Sequence, residues 1–402
     1  MIISMITVLN SLKNKLLSLV FGLILLNSGI AIAQQELIIA ANQTERYLPL
    51  LEGKKIGIVV NATSVIFKNH SYTHLVDSLI NHDITIKTIF SPEHGFRGNA
   101  DAGEKVHDGI DPVLGLPIVS LYGSKRKPTS EQLEALDLVL FDIQDVGVRF
   151  YTYIATLQLV MQACAENNVP LIILDRPNPN AGYIDGPVMK KQHRSFLGMN
   201  EIPLVYGMTI GEYALMVKGE NYLEVDQELD LTVIPLKNYT HQTPYHLPIK
   251  PSPNLPDDQA IALYPSLGLF EGTNVNAGRG TSHQFSRFGA SFLDKNYFDF
   301  SYTPKPNKGS KHPKEEGKTC FGRDLSSIQE PHKVTLKWLI EAYQNSLDQS
   351  SFFLTSSFTR HSGSELLQDQ IIKGLSEAQI RMSWESDINQ FKSIRKKYLL
   401  YP

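Results

Sequence analysis

The sequence predicts an α/β protein: a doubly wound N-terminal domain over residues 34–250 and a smaller α/β C-terminal domain over residues 251–402. Three observations carry this. Short Val/Ile/Leu runs alternate with helical patterns from about residue 54 to 180, as in a parallel sheet covered on both faces. Polar clusters follow those runs, where an open α/β sheet binds ligands. The texture then changes at 240–258 (THQTPYHLPIKPSPNLPDD), a Pro-, His-, Asn- and Asp-rich stretch that reads as an interdomain connection.

Taken in order, Lys55–Val60 (KIGIVV) reads as a buried strand and Tyr72–Ile80 as a helix. Ile84–Phe90 and Pro117–Tyr122 read as the second and third strands. Ser130–Leu136 is helical, with Thr129 or Ser130 as N-cap. Leu138–Ile143 is a strand, Tyr151–Asn167 a long amphipathic helix, and Leu171–Asp175 a further strand. Thr209–Lys218 reads as a helix and Leu229–Pro235 as a strand. Past the connection, residues 302–318 (YTPKPNKGSKHPKEEGK) lack an apolar period; they read as an exposed loop whose lysines are solvated. The tail Ile394–Pro402 mixes basic and apolar residues and is expected to dock as a terminal helix or strand.

Residues 1–33 read as a secretory signal peptide. Lys13 and Lys15 precede an apolar run, Leu16–Leu26, and Ala31-Ile32-Ala33 fits an A-x-A cleavage site. The alternative is a membrane-spanning anchor, but the run is short and breaks at Asn27, Ser28 and Gly29. No cysteine near the cleavage point could carry a lipid. The mature chain is therefore expected in the periplasm or secreted, without a stable membrane anchor. A formal net charge of −3 argues against a nucleic-acid partner. Cys164 and Cys320 are the only cysteines. Cys164 reads as a buried thiol, a disulfide between the two is an alternative, and no Cys/His cluster has zinc spacing.

The polar clusters locate a site. The second strand runs into Ser91-Pro92-Glu93-His94-Gly95-Phe96-Arg97-Gly98, and the third into Tyr122-Gly123-Ser124. The fourth runs into Asp142-Ile143-Gln144-Asp145-Val146-Gly147-Val148-Arg149-Phe150-Tyr151, and the fifth into Asp175-Arg176-Pro177-Asn178. All would gather on one sheet edge. Glu93, set in a turn between Pro92 and Gly95, is the foremost carboxylate; its competing reading is an ordinary loop acid. Asp142 and Asp145 could instead cap or turn the chain before the helix at Tyr151. Arg149 could pair with Asp145 or bind a substrate carboxylate. In the second domain, Glu271 and Arg279 lie on a Gly-rich stretch, 269–281, that could face the sheet edge or form a turn with a surface ion pair. There is no G-x-G-x-x-G, P-loop, G-x-S-x-G or H-E-x-x-H pattern. Carboxylates with Arg, His, Asn and Tyr suit a sugar, and paired carboxylates suit glycoside hydrolysis.

Five motifs in order, SPEHGFRG (91–98), FDIQDVGVRFYTY (141–153), LDRPNPNAG (174–182), VYGMTIGEYA (205–214) and LFEGTNVNAGRGT (269–281), with the closing KKYLLYP, resemble the exo-β-N-acetylmuramidase (NamZ-type) family. The chain departs from it after GRGT, where Ser282-His283-Gln284-Phe285 and later Gly289-Ala290-Ser291-Phe292 replace the family's usual Pro-Phe and Gly-Ala-Pro-Trp. The resemblance implies a Rossmann-like N-terminal domain, a smaller C-terminal domain and an active-site cleft between them. It implies release of terminal non-reducing N-acetylmuramic acid from peptidoglycan-derived saccharides, with no metal or organic cofactor. The motif glutamate corresponds to Glu93, expected as general acid, with Asp142, Asp145 or Glu271 as base or charge stabiliser. The substrate's own acetamido group is the alternative nucleophile. Arg149 or Arg279 is expected to bind the lactyl carboxylate, and His94, Arg97, Tyr151, Asn178 and Asn274 to bind substrate. Two rival classes are a non-catalytic periplasmic sugar- or muropeptide-binding protein and a hydrolase of a wall-peptide bond.

Overall fold

The computed structural model describes Lys13 and residues 35–69, 71–97 and 108–402. The expected signal peptide, apart from Lys13, and Gly98 lie outside the described residues. Residues Leu37–Pro402 form one compact unit. No described helix is long and apolar enough to cross a membrane.

A seven-stranded sheet organises the N-terminal part. Its members are β1 (Lys55–Val60), β4 (Thr85–Ser91), β5 (Gly109–Ile110), β6 (Pro117–Ser120), β7 (Leu138–Asp142), β8 (Leu171–Leu174) and β9 (Leu231–Ile234). Between β1 and β4 a separate hairpin pairs β2 (Val65–Lys68) with β3 (Ser71–His74). The sheet order is β5-β6-β4-β1-β7-β8-β9, parallel throughout except for the short edge strand β5. Leaving out that edge, the parallel strands follow the doubly wound order 3-2-1-4-5-6. The order reverses between β1 and β7, where Val60 pairs with Asp142. The connections that follow β1 and β7 leave in opposite directions, opening a crevice at the strand carboxyl ends.

Both faces of this sheet are buried, which is why its strands read as continuous apolar runs. Val59, Val139, Phe141, Leu171 and Ile173 join one hydrophobic core, while Ile56, Ile58, Val60, Leu138, Leu140, Ile172 and Leu174 join another. Alternate residues of one strand therefore serve opposite layers. The helices that cover the sheet are α1 (Thr44–Leu51), α2 (Leu75–Ile80), α3 (Ser130–Leu133), α4 (Tyr153–Glu166) and α5 (Ile210–Gly219). Thr129 and Thr209 each form a capping box, with Gln132 and Glu212.

The helix expected from Tyr72 begins three residues later. Ser71–His74 belongs to the β2–β3 hairpin, and His74 then caps α2, its Nδ1 accepting from the Val76 amide at 3.2 Å. An imidazole in the N-cap position does the work of the more usual Ser or Asp, so the start signal was not visible.

The C-terminal part begins with α6 (Asp258–Leu267), capped by Asp257. It carries a three-stranded antiparallel sheet of order β10 (Arg287–Ala290), β12 (Cys320–Asp324), β11 (Phe300–Tyr302). Five further helices complete it: α7 (Lys337–Gln344), α8 (Thr355–Ser362), α9 (Leu366–Ile372), α10 (Glu377–Met382) and α11 (Glu385–Arg395). The first core continues without a break into this part through Phe150, Leu263, Phe270, Phe285 and Phe358. The tail docks in extended form after a single 3₁₀ turn at Lys396–Tyr398. Tyr401 donates to Asp175 at 2.6 Å, and the Leu400 amide donates to Glu212 at 2.8 Å. Cys164 and Cys320 are both buried and free, so the disulfide alternative is not realised.

Candidate active site

Glu93 follows the carboxyl end of β4, the neighbour of β1 on the side away from the reversal point. The turn that presents it needs two successive left-handed residues, His94 (φ 73°) and Gly95 (φ 80°), closed by the Gly95 amide donating to the Pro92 carbonyl at 3.1 Å. A non-glycine residue at positive φ is costly enough that the surroundings must hold it. They do: His94 is buried, and its Nε2 lies 3.1 Å from the Ser252 hydroxyl. The half-buried Glu93 carboxylate accepts from Thr152 Oγ1 at 3.1 Å and from the Tyr122 phenol. Burial and the Glu93 charge push the Tyr122 phenol well above its ordinary range, so it remains a donor. The Tyr153 hydroxyl donates to the Glu93 carbonyl at 3.4 Å. Three segments thus fix one carboxylate: the β4 turn, the loop after β6, and the start of α4.

A second charged cluster comes from the C-terminal part. A 3₁₀ turn at Gly268–Gly272 carries Glu271, which pairs with Arg279 at 3.1 Å. Both side chains keep about a quarter of their surface in solvent, 24% and 23%. The guanidinium also sits 5.0 Å over the Phe285 ring. Lys314 reaches in from the loop expected to be solvated. Its ammonium donates to the carbonyls of Phe270, Glu271 and Thr273 at 3.0, 3.0 and 2.6 Å, which holds the Glu271 turn in place. Burial works to raise the Glu271 carboxyl, but Arg279 and Lys314 outweigh it and hold the group down at about 2. The Arg279 charge acts on Glu93 as well as Glu271, and the half-buried Tyr264 phenol feels all three. Glu93, Glu271 and Arg279 therefore share one electrostatic neighbourhood.

Other expected residues are placed elsewhere. Asp142 is fully buried in an ion pair with Arg176, at 2.5 and 2.7 Å, leaving no oxygen for substrate. Arg149 is 1% exposed and donates only to backbone carbonyls, those of Pro187, Ile202, His361 and Ser362. It pairs neither with Asp145 nor with anything in the cleft; it ties the segment before α4 to the end of α8. Asn178 is buried and shapes its own turn, accepting from the Asn180 amide and donating to the Met208 carbonyl at 2.8 Å each. Asn274 donates to the Ser351 carbonyl at 2.5 Å. Arg97 turns outward to Asp111 and Asp77, at 3.3 and 3.8 Å. Tyr151 is buried, its hydroxyl spent on the Pro251 carbonyl at 2.6 Å. Asp145 accepts from the Gly147 amide at 2.7 Å and from Tyr206. Its Oδ1 has no partner, and burial pushes its carboxyl up to about 6.

Tyr122, Thr152, Tyr264 and Lys314 were not singled out from sequence. Tyr122 and Thr152 did lie inside the polar segments that follow strands, so position marked them while residue type did not. Beside Glu93 opens a cavity of about 560 Å³, whose lining includes Asn61, Thr63, His94, Tyr153, Ser252 and Gln284. Among the described residues no group of three or more His, Cys, Asp or Glu side chains is arranged to hold a metal ion.

Two family descriptions match almost all of the folded unit. Residues 56–259 match "Exo-beta-N-acetylmuramidase NamZ, N-terminal" and residues 262–401 match "Exo-beta-N-acetylmuramidase NamZ, C-terminal". The chain belongs to the NamZ family. It is 38% identical over 383 residues to the peptidoglycan β-N-acetylmuramidase NamZ of Bacillus subtilis (strain 168), covering 88% of this chain and 89% of that one. It is also similar to two crystal structures of DUF1343 family proteins from Bacteroides fragilis. One is 42% identical with a TM-score of 0.83, the other 28% identical with a TM-score of 0.76. Each covers 91% of this chain and 99% of the other. The NamZ fold is thus a Rossmann-like sheet with a smaller partner, and in this member the Glu93 charge is felt at Arg279, which pairs with Glu271.

Proposed function

We propose that this chain is an exo-acting glycoside hydrolase that releases terminal non-reducing β-linked N-acetylmuramic acid from peptidoglycan fragments. Family membership and the B. subtilis relative support the reaction. The observation that carries the residue assignment is the half-buried Glu93 carboxylate, fixed by Thr152 and Tyr122 at the strand edge beside a sugar-sized cavity. Glu93 donates its proton to the glycosidic oxygen as the C1–O bond breaks. The ring carbon develops positive charge in an oxocarbenium-like transition state.

Glu271, held ionised by Arg279 and Lys314, has no proton to give at neutral pH. Its role is to stabilise that positive charge or to orient the group that attacks C1, whether water or the substrate's acetamido oxygen. Arg279 keeps Glu271 anionic and in place. Peptidoglycan lies outside the cytoplasmic membrane, so this reading places the mature enzyme in the periplasm or medium, as the Ala31-Ile32-Ala33 site suggests.

The test is Glu93→Gln, which keeps the shape and removes the acid. Turnover of a β-linked N-acetylmuramyl–N-acetylglucosamine disaccharide, whose sugar leaving group needs a proton, should fall by at least ~100-fold, with substrate binding retained. Wild-type turnover in that variant refutes the assignment. A wild-type chain that binds such saccharides and returns them uncleaved refutes the hydrolase reading.

A further inference from the structure

The cavity beside Glu93 has a charge pattern that the reaction alone does not explain. Its walls are neutral and polar: Asn61, Thr63, Ser252, Thr281, Ser282 and Asn307 supply hydroxyls and amides from both halves of the chain. No Asp or Glu lines it. The lining residues that can carry a positive charge are His94 and two lysines on the exposed rim, Lys250 and Lys308. Neither lysine makes an ion pair or side-chain hydrogen bond among the described residues, whereas most other cations near the cleft are engaged. Arg279 is held by Glu271, Lys314 by three carbonyls, and Arg149 by four. Gln284 adds a second sign of a missing ligand. It is 6% exposed, lines the cavity, and its Oε1 has no hydrogen-bond partner. A neutral polar chamber with unpaired ammonium groups at its mouth suits a polyol ring that carries one negative charge.

We infer that this cavity seats the anionic sugar itself, with Lys250 and Lys308 reading its carboxylate. This rests on the muramidase reading and deepens it. The lactyl ether of N-acetylmuramic acid would lie at the rim, the ring against the amides and hydroxyls, and the glycosidic oxygen toward Glu93. The two lysines reach the cavity from different segments, the connection before α6 and the loop after β11. They would close on the carboxylate from two sides. Exposed ammonium–carboxylate pairs are individually weak, so two together account for a preference of about tenfold rather than thousands.

The experiment compares 4-nitrophenyl β-N-acetylmuramide with its lactyl methyl ester, which keeps the shape and loses the charge. The full chain, its K250A/K308A variant, its K250E/K308E variant and R126A are assayed on both. Arg126 is the control because it is an exposed cation whose charge is felt at Tyr122, with its Nε on the Gly123 carbonyl and no carboxylate partner. Wild type should favour the acid by about tenfold in kcat/KM. That ratio should fall to near one in K250A/K308A and invert toward the ester in K250E/K308E, while R126A keeps it. An unchanged ratio in both lysine variants overturns the inference, as does a collapse of the ratio in R126A alone. If wild type cleaves neither compound, the muramidase reading itself falls and takes this inference with it. Because all three positions are exposed, the variants are expected to fold, and equal thermal midpoints check this.

Discussion

Arg149 offers the sharpest separation between a structural and a substrate-reading cation. Burial lowers its guanidinium to about 9, still charged at neutral pH, and no carboxylate neutralises it. Four carbonyls do that work, at 2.6, 2.9, 2.9 and 2.7 Å. Two of them, His361 and Ser362, are the last carbonyls of α8, where the helix dipole favours a cation. Gly363 follows at φ 86°, and a Cβ there would stand 2.8 Å from Arg149 Nη2, so the contact leaves no room for a side chain. Hydrogen bonds to a charged donor are worth about 1.5–3 kcal/mol each, but burying the charge costs several kcal/mol in return. Arg149→Met keeps the apolar stem, removes the donors and leaves buried carbonyls unpaired. The expected loss is about 3–5 kcal/mol of unfolding free energy. Urea unfolding followed by near-UV circular dichroism measures it. The folded fraction of Arg149→Met should keep the wild-type preference for the lactyl acid over its ester. A variant within about 1 kcal/mol of wild type that has lost that preference would refute the structural assignment.

Two further outcomes follow from buried groups. Burial pushes Asp145 up to about 6 and Asp175 up to about 7, both above the ordinary 3.8, so the folded state favours their protonated forms. The stability they contribute is fully present below about pH 4 and is lost as pH rises through 6 and 7. Thermal midpoints should therefore decline from pH 5 to pH 8, and Asp175→Asn should flatten that decline; an unchanged slope in the variant counts against the argument. The thiols of Cys164 and Cys320 are raised to about 12 by burial and stay protonated and unreactive. Dithiothreitol should leave the thermal midpoint unchanged, and a lowered midpoint would reveal a disulfide that the structure lacks.

The sheet was legible because its strands are buried on both faces and so show as unbroken apolar runs, KIGIVV being the plainest. The edge that holds the site was legible for the same reason: once the strands are placed, whatever follows them must gather at their carboxyl ends. What could not be read was which charges on that edge are already spent. Asp142 finds its partner 34 residues on, in Arg176; Arg149 finds carbonyls 212 and 213 residues on; Glu271 is steadied through Lys314, 43 residues on. Residue type and local spacing are the same for a carboxylate locked in an ion pair and one facing a cavity. The difference is made by tertiary contacts, through the partner each group meets and the solvent it retains. Asp142 and Arg149 are sealed, while Glu271 and Arg279 keep about a quarter of their surface in water and Glu93 stays half-buried. A buried charge held by protein groups alone stabilises one arrangement of the chain. A charge held firmly by its neighbours yet still in reach of solvent can exchange a proton with something that enters. By that criterion Glu93, the one site residue that both its turn and its motif had marked, is the carboxylate we propose as the acid, and Asp142 is not.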